Sequence, residues 1–158
     1  MSATVTICHA EPAPTSYAPP SPHTLSYSLT LPGEPYSAAI ARRTVASVLR
    51  THHLDPLVPA AAQVTGELMA AGWHSSPGEG LYLSVRYRDD SLRLIVYDAH
   101  AAHPHPRLAA LCEARRRGHL GVLAALVGDC AGEWGFGPAR EPGGGTRTWA
   151  TLPYPAPA

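Results

Sequence analysis

Residues 81 to 98 constrain the fold more than any other stretch. Leu81, Leu83 and Val85 alternate with Tyr82, Ser84 and Arg86. Leu92, Leu94, Val96 and Asp98 then alternate with Arg93, Ile95 and Tyr97. A period of two is that of a strand with one face buried. Arg88-Asp89-Asp90-Ser91 leaves room only for a tight connection, so the two runs read as an antiparallel hairpin. The second strand ends with Asp98 on its apolar face. A carboxylate there needs a partner or a ligand, because burying it alone is costly.

The remaining segments fall into place around this hairpin. Residues 1–24 carry Pro12, Pro14, Pro19, Pro20 and Pro22 and read as a flexible tail. Leu25 to Leu31 alternates as a half-buried strand, which Pro32-Gly33-Glu34-Pro35 ends. A helix is expected from about Tyr36 to His52, with Ser37 as its cap and Ala41, Val45, Val48 and Leu49 facing the core. A second helix follows Asp55-Pro56, with the acid as cap, and runs to about His74. Gly66 and Gly72 each weaken it by about 1 kcal/mol relative to alanine, which suits positions of close approach. A third helix spans about Leu108 to Gly128, with a break near Arg117-Gly118. Trp134-Gly135-Phe136 and Thr146 to Leu152 are strands, and residues 154–158 a second tail. The order β, α, α, β, β, α, β, β predicts one domain over residues 25–153. Its expected form is a two-layer α/β sandwich, with a mixed, mainly antiparallel sheet and about three helices on one face.

Composition narrows the function. Charged residues are 15% and the formal net charge is zero, so neither direct nucleic-acid binding nor attraction to an anionic membrane is expected. All twelve basic residues are arginines, and asparagine is absent. Cys8, Cys112 and Cys130 are far apart and odd in number, which reads as reduced thiols in a cytoplasmic protein. No leader pattern opens the chain, and the apolar run from Leu120 to Val127 is too short to span a bilayer. Neither a GxSxG nor a Walker-type loop occurs.

Four segments, taken in order, resemble the small anti-sigma regulatory proteins of the histidine-kinase-like ATPase superfamily, which have the Bergerat ATP-binding fold. They are Leu31-Pro32-Gly33-Glu34-Pro35 with Ala41-Arg42-Arg43, Gly66-Glu67-Leu68-Met69, Val96-Tyr97-Asp98-Ala99, and Gly145 to Pro153. The resemblance implies an ATP site. Glu67 matches the glutamate that orients a water or hydroxyl, and would be the catalytic base if the site were active. The Mg²⁺-holding asparagine four residues later is Ala71 here. A methyl group cannot ligate Mg²⁺, which takes oxygen ligands. Asp98 matches the adenine-reading aspartate, and His100 stands where a small residue usually follows. Arg117, Gly118 and Gly121 match the phosphate lid, and Thr148 lies in the final strand of the nucleotide-contact set. The implied function is that of a regulatory protein that binds another regulatory protein: a sigma factor, an antagonist or a DNA-binding regulator. Its ATP site would be weak or non-functional, without a metal, and a homodimer is compatible with the family. The alternative is an active ATP-dependent serine protein kinase of the same type.

Two further groups have chemistry of their own. His100, His103 and His105 with Asp98 offer metal-ligand atoms, but prolines interrupt them and no HExxH or cysteine partner accompanies them, so a solvated loop is expected. Tyr82, Arg86, Arg88, Arg93, Ile95 and Tyr97 share the sheet face away from the helices; its aromatic and arginine content fits a contact surface and equally a plain exposed sheet.

Overall fold

A computed structural model describes residues 17–140 and 145–156. Five strands are present in it: β1 (Ser26–Leu31), β2 (Leu81–Arg88), β3 (Ser91–Asp98), β4 (Glu133–Pro138) and β5 (Thr146–Pro153). The four α-helices are α1 (Ser37–Thr51), α2 (Val58–Ser75), α3 (Pro106–His119) and α4 (Gly121–Asp129). The chain adopts the expected two-layer α/β sandwich. The sheet order is β1-β2-β3-β5-β4, and every neighbouring pair is antiparallel. The expected mixed sheet is therefore corrected to an antiparallel one. The crossover from β3 through α3 and α4 to β4 does yield two parallel strands, but β5 returns between them and pairs with both.

The β2–β3 hairpin has the anticipated register, with Leu83 opposite Val96 and Tyr87 opposite Leu92. Asp89 and Asp90 both have positive φ, 50° and 51°, as a tight two-residue hairpin turn requires. Leu81, Leu83, Val85, Leu92, Leu94 and Val96 are buried toward the helices. They meet Ala41, Val45 and Leu49 of α1, Val64 and Leu68 of α2, and Leu123 and Val127 of α4 in a single core.

Both α2 glycines mark close approaches. A Cβ on Gly72 would lie 3.0 Å from Leu81 and 3.2 Å from Val96, and one on Gly66 would lie 3.0 Å from the Arg42 side chain. The first lets α2 lie close on the sheet, and the second leaves room for the Arg42 side chain across α2. Helix starts differ from expectation. Ser37 opens α1 from inside the helix, with Tyr36 at the N-cap position, and its buried hydroxyl finds no hydrogen-bond partner among the described residues. Asp55 begins a separate 3-10 turn, Asp55–Leu57, ahead of α2, and the N-cap position of α2 is Leu57, not the acid.

The third helix is interrupted at Leu120, just past the expected Arg117-Gly118. At the amino end, Pro22–Thr24 of the segment expected as tail form a 3-10 turn. Buried His52 holds this turn: its Nδ1 lies 2.6 Å from the Ser21 carbonyl and its Nε2 2.8 Å from the Tyr27 hydroxyl. Among the described residues no helix is long and apolar enough to cross a membrane.

Candidate functional site

Asp98 is 5% exposed at the end of β3. Arg116, equally buried, reaches it from α3 with Nη1 2.9 Å from Oδ2 and Nη2 3.4 Å from Oδ1. The same Nη1 donates to the Thr148 hydroxyl at 3.1 Å. The backbone N–H of His100 donates to Asp98 Oδ1 at 2.9 Å. Both carboxylate oxygens are thus engaged inside the protein. This is the arrangement that makes a buried charge tolerable, an opposite charge with additional hydrogen bonds.

The surrounding backbone reinforces it. The Thr146 hydroxyl donates to the His100 carbonyl at 2.8 Å. Gly145 has φ of +98°, and any side chain there would collide with the Asp98 carbonyl oxygen. Phe136 of β4 covers the pair from one side, with the Arg116 guanidinium 5.9 Å and that of Arg117 5.2 Å from its ring centre, within the range of cation–π attraction.

The residues matched to a nucleotide site are only partly gathered here. Asp98, His100 and Thr148 meet around Arg116. Arg117 points outward, 2.8 Å from Glu113 in an exposed i,i+4 pair. Gly118 lies within α3, and Gly121 begins α4. Among the described residues, nothing beyond its own helix backbone and chain neighbours lies within 4 Å of the Cβ position of either glycine. The segment compared with a phosphate lid is therefore two helix ends, and His119 in it stacks on His74 at 4.8 Å between ring centres. Ala71 is buried in the core. Glu67 is half-buried on α2 and, among the described residues, makes no side-chain hydrogen bond or ion pair with the other matched positions.

Arg116 belongs to the Arg115-Arg116-Arg117 run, which the sequence reads as a solvated helix face with only Arg117 matched to the nucleotide site; this is corrected for Arg116, which is buried against Asp98. A signal was present: residues 116, 120, 123 and 127 follow helical spacing, and Leu120, Leu123 and Val127 are all buried. An arginine at the head of an apolar stripe needs an acid, and Asp98 was the acid in need of a partner.

A second surface lies on the opposite side of the sheet. Tyr82, Arg86, Arg93, Ile95 and Tyr97 line a depression of about 870 Å³ together with Thr151. Tyr82 and Tyr97 meet edge to face at 5.7 Å. Arg93 sits 5.9 Å over the Trp149 ring, and that indole lies flat across Gly135, where a Cβ would come within 2.9 Å of it. Arg86 and Arg93 are direct cross-strand partners. Like charges directly opposite are unfavourable, and neither has an ion-pair partner among the described residues. Compared with known protein families and with curated proteins, the chain matches none.

Proposed function

We propose that this chain is a regulatory protein of the anti-sigma type that works by binding another regulatory protein and uses ATP weakly or not at all. The observation that carries this reading is the occupancy of Asp98. The carboxylate that would read an adenine amino group is already bonded to Arg116 and to the His100 N–H. A nucleotide would have to break a buried ion pair, which costs several kcal/mol. Ala71, in the core, supplies no oxygen to Mg²⁺.

Binding is assigned to the open sheet face. Tyr82 and Tyr97 provide aromatic area there, and Arg86, Arg88 and Arg93 provide positive charge in the depression, where Asp89 is the acid among the lining residues; Glu133 lies toward the β4 edge of the same face, opposite Thr151. The partner is accordingly one that presents acidic side chains, a sigma factor, an antagonist or a DNA-binding regulator. Its carboxylates would relieve the Arg86–Arg93 repulsion. Affinity capture with the full chain tests this. A partner retained by the unmodified protein should be lost in the double charge reversal Arg86→Glu with Arg93→Glu, and kept in Glu67→Ala and after nucleotide removal. Capture that survives the charge reversal, or that depends on ATP, contradicts the proposal.

A further inference from the structure

Behind Asp98 the chain turns through His100 to His105 and enters α3. The sequence reading found no cysteine for these histidines, because the partner lies on the following helix. Folding brings Cys112, in the second turn of α3, back onto the loop. His100 Nε2 is 2.9 Å from Cys112 Sγ, and the His100 and His103 rings are 5.1 Å apart at 75°. One ligand atom from each of His100, His103 and Cys112 can be chosen so that all lie within 4.8 Å of one another. The group opens onto a cleft of about 350 Å³. His105 is not part of it, since its Nδ1 accepts from the Arg107 N–H at the start of α3.

The geometry points to a zinc site formed by His100, His103 and Cys112. Two imidazoles and a thiolate are a donor set that zinc takes. Tetrahedral zinc with Zn–N of about 2.0 Å and Zn–S of about 2.3 Å holds its ligand atoms roughly 3.3–3.6 Å apart. The present spacings need little adjustment: His100 and Cys112, 2.9 Å apart, would separate slightly, and all three ligand atoms already lie within 4.8 Å of one another. Cys112 is fixed by its helix. The His100 backbone is fixed by its bonds to Asp98 and Thr146. His103 is in an exposed loop and free to move in. On binding, the Cys112 thiol gives its proton to solvent and the thiolate coordinates. The fourth position faces the cleft and would be filled by water. Because the His100 N–H bonds Asp98, the metal would also brace the Asp98–Arg116 pair.

Zinc titrated into the full chain by calorimetry tests the assignment, with cobalt as a spectroscopic probe. The expected result is one equivalent bound, and a thiolate-to-cobalt charge-transfer absorption that disappears in Cys112→Ser. His103→Ala should lose saturable binding. His105→Asn, which keeps a cap for α3, and Cys8→Ser and Cys130→Ser should retain it. Zinc should also slow alkylation of Cys112 in the unmodified chain without changing that of Cys130, a readout independent of any variant's folding. Binding unaffected by Cys112→Ser, binding that follows Cys8 instead, or equal alkylation of Cys112 with and without zinc would each overturn it.

Discussion

Arg116 and Asp98 stabilise the fold only as a pair. Removing one leaves the other charge buried, a change that costs about 3–5 kcal/mol. Arg116→Met should lower unfolding stability by that amount in denaturant titration. Adding Asp98→Leu should recover most of the loss, because an apolar pair of similar volume is often as stable as a buried ion pair. Tyr87 gives a pH signature at the same scale. The residue is 5% exposed, and its phenol is pushed above the ordinary value of 10.0, by burial first and then by Asp90 and Tyr154. The raised group keeps its proton longer when folded, so its contribution is complete below about pH 10 and is lost as pH rises through the higher folded value. Stability measured from pH 8 upward should therefore fall above about pH 10, and Tyr87→Phe should make that fall shallower. Asp98 was legible in the sequence because its strand alternates. Cys112 was not, because its proximity to His100 depends on the path of a loop.

At the scale of elements, the glycines divide into two kinds. Gly72 lies against Leu81 and Val96, so Gly72→Ala requires these buried side chains to give by a few tenths of an ångström and should cost about 1–3 kcal/mol. Gly118 is also helical but open, and Gly118→Ala should stabilise by up to about 1 kcal/mol. Thermal unfolding of the two variants should thus shift in opposite directions. The close-approach role of the α2 glycines was readable from their cost in a helix interior. The boundaries of α1 and α2 were nearly readable, whereas their caps were not. Ser37 and Asp55 have cap chemistry, but the chain enters both helices through turns that satisfy backbone groups without these side chains. The hairpin was legible in full, since one-residue slippage would turn its buried leucines to solvent.

For the whole molecule, the two-layer arrangement followed from the order of elements, but the all-antiparallel sheet did not, because no local pattern says that β5 inserts between β3 and β4. The amino-terminal segment adds a test at this scale. Removing residues 1–20 should change stability by less than about 0.5 kcal/mol. Removing residues through Thr24 takes away the Ser21 carbonyl bonded to buried His52 and should cost about 1–3 kcal/mol. Closure of the Asp98 position by Arg116, and with it the proposed action without ATP turnover, is tested most directly by calorimetric titration of ATP into the full chain, with and without Mg²⁺. No saturable heat, or weak binding unchanged by the metal, is expected; tight binding that requires Mg²⁺ would overturn the proposal.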